Sequence, residues 1–304
     1  MRRWLSLTPF DGLVLLMVLI WGANYSVVKS ALREIQPQAF NALRLIVASA
    51  AFLGALAWHR VPRITRADWI RLAALGAIGH FVYQLCFMAG ISRTTASNTS
   101  LIIGCSPVAV SLASALAGHE RVRRAQWIGV LLSVAGVYLV VGRGAEFGGA
   151  SFAGDLFTMA AVACWAVYTV GSRDLLTRYS PLTVTGLTML VGMVLLVPVS
   201  LPELRRVPWS SVPMWAWAEL VLSALLALNL AYLIWYTSVQ RIGNVRTSAY
   251  SNFIPLVAMA VAIVWLGESL TAWKIAGAAA ILSGVAITRM AERWQPASGP
   301  PGEE

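Results

Sequence analysis

Charge is scarce in this chain. Only 12% of its 304 residues are Asp, Glu, Lys or Arg, while 58% are hydrophobic. A soluble domain carries about 25% charged residues to cover its surface. The mean hydropathy of +0.71 points the same way. Composition argues against a soluble enzyme, a disordered chain and a fibrous protein, and leaves a polytopic membrane protein. Cysteine is also scarce. Cys86, Cys105 and Cys164 sit in apolar stretches without CxxC spacing, which excludes a disulfide framework and a cysteine-based zinc site. They read as small packing residues with free thiols.

What the chain has is apolar length. A spanning helix needs roughly 20 mostly apolar residues, and ten such stretches are present: 11–31, 37–58, 68–90, 94–117, 125–142, 154–173, 181–200, 213–238, 244–266 and 271–290. Connections are short, so no soluble domain is inserted. The first stretch follows Arg2 and Arg3, but it is too long and lacks a clear cleavage site, so a removable signal peptide is not expected. The organisation expected is a cytoplasmic N-terminus over 1–10, a first five-helix repeat over 11–142 and a periplasmic connector over 143–153. A second five-helix repeat over 154–290 and a cytoplasmic disordered tail over 291–304 complete it.

The net charge of +10 would suggest nucleic acid in a soluble protein. Here no basic run is interleaved with exposed aromatics, so no nucleic-acid partner is expected. Basic residues gather instead in cytoplasmic loops. Fifteen fall on the side of the termini and seven on the other, with Arg44 inside a span. Both termini are therefore placed in the cytoplasm. The preference for Arg over Lys suggests a GC-rich bacterial source and hence an inner membrane.

The two halves match. Trp21 aligns with Trp165 and Pro37 with Pro181, both offset by 144; Pro107 aligns with Pro255, Glu120 with Glu268, Gly129 with Gly277 and Gly136 with Gly284, all offset by 148. Five spans per repeat is an odd number, so the second repeat enters the membrane from the opposite face. Such inverted repeats interconvert inward-open and outward-open states in many secondary transporters.

These motifs resemble a known family. Trp21-Gly22-Ala23-Asn24 with Lys29, Pro37 and Arg44 in "PQAFNALRLIVA" resembles the start of an EamA-type domain. "SPVAVSLASALAGHERVRRAQWIGVLLSVAGVYLV" and "IPLVAMAVAIVWLGESLTAWKIAGAAAILSGVAI" look like its end in two copies. The resemblance covers nearly the whole chain and implies the drug/metabolite transporter superfamily, with ten helices and amino-acid or metabolite exporters among its members. Its aromatic richness looks most like the aromatic-amino-acid exporters. One departure is Thr188 where the first copy has Arg44.

Polar groups within spans are costly and tend to face a cavity. On the third span His80, Tyr83, Gln84 and Phe87 share one stripe at i, i+3, i+4 and i+7. Trp21, Asn24 and Tyr25 on the first span have Trp165 and Tyr168 at equivalent positions of the sixth. Trp58, Trp69, Trp127, Trp209, Trp273 and Trp294 read as interfacial belt; Trp21 and Trp165 lie too deep for it. Pro107 and Pro255 interrupt the fourth and ninth spans and loosen the carbonyls near Ile103 and Ser251. Asn98, Tyr250, Ser251 and Asn252 lie close by. On the eighth span Asn229, Tyr232 and Tyr236 follow i, i+3 and i+7. Against the cavity reading of each stands ordinary packing between helices. Arg44 lies about seven residues into its span, roughly 10 Å from the outer end, and Glu219 enters from the same side. Either they snorkel or they form a structural or gating ion pair. The repeated glycines of the fifth and tenth spans mark close helix approach, as scaffold at the rim or as a weak homodimer contact.

The expected function is export or uniport of amino acids, aromatic or bulky neutral ones, around a central cavity. Amides and backbone groups can hold a zwitterion without formal ion pairs, and aromatics give flat walls and cation–π partners. The alternative is efflux of purines, nucleosides or amphipathic drugs. An intramembrane enzyme is disfavoured: His59, His80 and His119 lack a metal-ligand pattern, so no catalytic set, metal or cofactor is expected. No P-loop is present. No acidic residue sits at a midplane, so facilitated diffusion is the simplest mode, with proton coupling through His80 as the other.

Overall fold

The computed structural model describes residues 9–59, 61–117, 124–142, 150–242 and 250–293. Among these the regular structure is entirely helical, with no strand. Seven helices are long and apolar enough to cross a membrane, and three shorter apolar helices accompany them. In chain order they are α1 (Pro9–Ala31), α2 (Pro37–Trp58), α3 (Arg66–Arg93), α4 (Ala96–Leu116) and α5 (Arg124–Gly142). Then follow α6 (Ala150–Arg178), α7 (Pro181–Arg206), α8 (214–242), α9 (Ile254–Leu266) and α10 (Ala272–Arg293).

Several bounds differ from those expected. Residues 150–153 of the expected connector already belong to α6, and 143–149 lie outside the described residues, as do 1–8, His119, Glu120, 244–249 and 294–304. Helices α6 and α7 extend past their apolar stretches because polar bonds hold their ends. Arg178 donates to Asp68 at 2.7 Å and the Tyr179 hydroxyl to the same oxygen at 2.8 Å. At the other end of α7, Glu203 accepts from the backbone N–H of Gln38 and Ala39 at 2.7 and 3.3 Å. A carboxylate there satisfies amides that the first turn of α2 leaves open.

Packing mixes the two halves. Helix α1 lies against α9, and α6 against α4; α3 lies against α6, and α8 against α1. When first-half helices are exchanged for their second-half counterparts, the first of these pairs becomes the second and the third becomes the fourth. The pairs α2–α7 and α5–α10 map onto themselves. Departures from α-geometry repeat too. A π-helical segment occupies Ala77–Val82 of α3 and another Ser223–Leu230 of α8, so the first, moved by 148 residues, falls inside the second. Helix α4 breaks at Gly104 and Cys105, and the turn at Asn252 and Phe253 precedes α9, again 148 apart.

The glycines of α5 and α10 face each other inside the chain. A Cβ on Gly136 would meet the Gly277 carbonyl at 2.8 Å, and one on Gly284 would meet the Gly129 carbonyl at 2.5 Å. That stripe is therefore consumed by an intramolecular contact and is not free to join a second copy. Trp58, Trp69, Trp127 and Trp273 are exposed, as a belt requires, whereas Trp209 turns inward, stacking near Trp217 and donating to the Leu204 carbonyl.

Gly136→Leu and Gly284→Leu each force a side chain into backbone. Overpacking of this kind costs about 1–3 kcal/mol, so both variants should melt several degrees below the wild type in detergent; unchanged melting would contradict the close α5–α10 approach.

Candidate functional site

The face from which α1 starts will be called the N-terminal face. The opposite face is stitched shut by three charged side chains. Lys29, at the end of α1, donates to the carbonyls of Ile91, Ser92 and Thr94 at 2.7, 3.3 and 2.6 Å, closing the C-terminus of α3. Glu268, beyond α9, accepts from the N–H groups of Ala96 and Ser97 at 2.8 and 3.2 Å and caps α4. Glu203 does the same for α2. Cations at helix C-termini and anions at N-termini complement the helix dipoles.

Below this seal lies a cavity of about 200 Å³. Trp21, Asn24, Tyr25, Arg44, Tyr83 and Gln84 line it, as do Trp165, Tyr232, Ser251, Pro107 and Pro255. These are the expected residues that the fold brings together. Val110, Ser111 and Ser114 on the second part of α4, Thr169 on α6 and Trp235 on α8 carry the lining toward the N-terminal face.

The wall has two chemical zones. Midway, rings interlock. Trp21 meets Tyr232 at 5.7 Å between centroids, Trp235 at 5.8 Å and Trp165 at 6.4 Å; Trp165 meets Tyr232 at 5.7 Å and Tyr83 at 5.8 Å. Edge and tilted contacts of this kind suit the ring quadrupole. The Trp21 indole N–H is fixed by the Ala227 carbonyl at 3.0 Å, within the π-helical segment of α8. Toward the sealed face the wall turns polar. The Arg44 guanidinium donates to Gln84 Oε1 at 2.7 Å, Ser223 Oγ at 3.1 Å and Asn41 Oδ1 at 3.2 Å. Ser223 in turn donates to Asn24 Oδ1 at 2.6 Å. Helices α1, α2, α3 and α8 thus meet in one network.

The two helix interruptions meet beside the cavity. A Cβ on Gly104 would lie 2.8 Å from the Pro255 ring and 3.0 Å from the Leu101 carbonyl. The loosening expected near Ile103 is a full break, and the Ser106 hydroxyl takes the Ile103 carbonyl.

Other expected residues fall elsewhere. His80 is fully buried behind the wall, against Tyr168 at 5.0 Å and Tyr232 at 5.8 Å, with neither ring nitrogen hydrogen-bonded. Tyr168 shares that layer and hydrogen-bonds Thr188 at 3.1 Å. Asn229 donates to the Ala48 carbonyl at 2.9 Å, and Asn98, Tyr250 and Asn252 are likewise not among the cavity-lining residues. The Arg44–Glu219 pair does not form: Arg44 has the neutral partners above, and the ion pair found among the described residues is Arg178–Asp68. The Arg44 guanidinium meets α8 one turn deeper than Glu219, at Ser223, and Glu219 lies near Ser30 at the end of α1.

Two features escaped the sequence reading. Trp235 lies three residues after Tyr232, so its spacing was a usable signal. Asp155, which falls at the start of the expected sixth span and was given no role there, is fully buried in the second turn of α6, close to Thr94 and Asn98. Its place past the true helix start was not visible without the extra turn of α6.

The EamA-like transporter family model matches residues 9–142 and 152–290. A probable terminal-alkyne amino-acid exporter of Streptantibioticus cattleyicolor is 30% identical over 90% of this chain and 91% of its own. A probable amino-acid metabolite efflux pump of Salmonella typhimurium is 25% identical over 91% and 94%. An uncharacterized transporter of Bacillus subtilis is 27% identical over 87% and 88%. A solved crystal structure superposes with a TM-score of 0.68 at 21% identity, covering 96% of this chain and all of that one; it speaks for the fold.

Gly104→Val drives a branched side chain into the Pro255 ring and the adjoining backbone. Transport in reconstituted vesicles should fall at least tenfold while membrane insertion is kept. Wild-type rates in this variant would contradict the apposition of the two breaks.

Proposed function

Because the chain belongs to the EamA-like transporter family, and is thereby a multi-pass membrane transporter, we propose that it exports amino acids. The substrates of this reading are aromatic or bulky neutral amino acids. They cross the inner membrane of a bacterium by alternating access around the central cavity. The chain then forms ten spans as two inverted five-helix repeats with both termini in the cytoplasm. The excess of basic residues on the terminal side supports that orientation. The exchange pattern of helix pairs, the two π-helical segments and the two helix breaks support the inverted repeat.

One observation carries the choice of solute. The ring cluster of Trp21, Tyr83, Trp165, Tyr232 and Trp235 is contributed by both halves and lines the middle of the cavity. Flat apolar walls suit an aromatic or bulky side chain, and ring faces suit an ammonium group. The names of the relatives from Streptantibioticus cattleyicolor and Salmonella typhimurium point to amino acids as well. In this orientation the described lining reaches toward the cytoplasmic side through Ser111, Ser114, Thr169 and Trp235, where an exporter collects its cargo. The same rings would stack a purine, so efflux of purines, nucleosides or amphipathic drugs is the second reading. The reading assigns the chain no enzymatic role and no metal or cofactor.

The test is uptake of labelled Phe, Trp, Thr, Met and a nucleoside into liposomes holding the purified protein. Phe or Trp should enter fastest, and Trp165→Ala should lower that rate at least fivefold without preventing insertion. If no amino acid moves faster than in empty liposomes, the reading falls; faster movement of the nucleoside favours the second one.

A further inference from the structure

Arg44 is an unbalanced charge. Its side chain is 1% exposed, inside a segment that crosses the membrane. A buried cation is ordinarily paired with a carboxylate or placed where an anion arrives. Here every hydrogen-bond partner is neutral: Asn41, Gln84 and Ser223. The rings of Phe40 and Phe87 lie 5.7 and 5.8 Å away and offset part of the charge. A guanidinium has five N–H donors. Three are used, and Nε has no partner. Arg44 also lines the cavity, at the end beneath the seal.

We propose that Arg44 receives the carboxylate of the transported amino acid, with the side chain of the solute directed down into the ring cluster. This rests on the amino-acid reading above and sharpens it: the solute carries an anionic group, and a plain amine is rejected. The three neutral partners hold the guanidinium in place without neutralising it, so its charge stays available to the solute. The equivalent position of the second repeat is Thr188, which is buried and hydrogen-bonded to Tyr168. Only one end of the cavity therefore carries the anchor, and the solute enters with one orientation.

The test compares three ligands on the purified full-length protein, read by tryptophan fluorescence at neutral pH: L-phenylalanine, 3-phenylpropionate and phenethylamine. L-phenylalanine and 3-phenylpropionate should bind, and phenethylamine should bind at least tenfold more weakly than L-phenylalanine. In Arg44→Gln the preference for L-phenylalanine over phenethylamine should shrink to less than threefold. Equal binding of phenethylamine by the wild type overturns the assignment while leaving amino-acid recognition intact. So does a tenfold preference that survives in Arg44→Gln. Should that variant fail to fold, the wild-type series decides alone. Binding of none of the three removes the amino-acid reading and this assignment together.

Discussion

Hydrocarbon supplies no hydrogen bonds, so a chain that crosses it can leave regular helix only where protein or a cavity covers the exposed backbone. This constraint organises the whole molecule. Helices α3, α4 and α8, and the approach to α9, all leave α-geometry, and they do so at positions related by one offset of 148 residues. Three of the four departures lie beside the central cavity, and the π-helical segment of α3 packs against α6 and α7 just behind its wall. The Trp21 indole serves a carbonyl within one π-helical segment, the Ser106 hydroxyl serves a carbonyl at one break, and the two breaks meet where Gly104 touches the Pro255 ring. The cavity exists because the repeats place their irregular backbone against each other.

The ends of the bundle follow a different rule. Lys29, Glu203 and Glu268 each satisfy backbone groups at a helix terminus of another segment. Such bonds are charge-assisted and therefore strong, but each is a small set that could exchange for water. The N-terminal face has a smaller stitch, Asp68 with Arg178 and Tyr179. In the proposed inverted-repeat arrangement, a face sealed in this way marks one of the two states between which the repeats would exchange. The difference between Arg44 and Thr188 makes the cavity chemically polar even though its frame is repeated.

Much of this was legible in the sequence because the bilayer simplifies the reading. Apolar length located the helices, and the registers of 144 and 148 anticipated both breaks through Pro107 and Pro255. The ring residues Trp21, Trp165, Tyr83 and Tyr232 were found by depth and spacing. Spacing failed at His80 because a π-helical segment, with its i→i+5 bonds, shifts the phase of the stripe; His80 faces the layer behind the wall while Tyr83 and Gln84 reach the cavity. Depth read to within a few residues failed for Arg44 and Glu219, because the guanidinium reaches α8 a full turn further in, at Ser223, where neutral side chains hold it. Asp155 was missed because α6 starts before its apolar stretch does. The glycine pattern of α5 and α10 foretold close packing, but only the fold shows that its partner lies within the same chain.

The central proposal is a cavity built by both halves that holds the solute and is reached from the N-terminal face. Ser111→Cys, in a chain whose Cys86, Cys105 and Cys164 are replaced by Ala, tests it most directly in oriented vesicles. An impermeant maleimide should label this residue from the cytoplasmic side, and L-phenylalanine should slow the labelling. Labelling from the opposite side alone, or at a rate that no solute alters, would contradict the account.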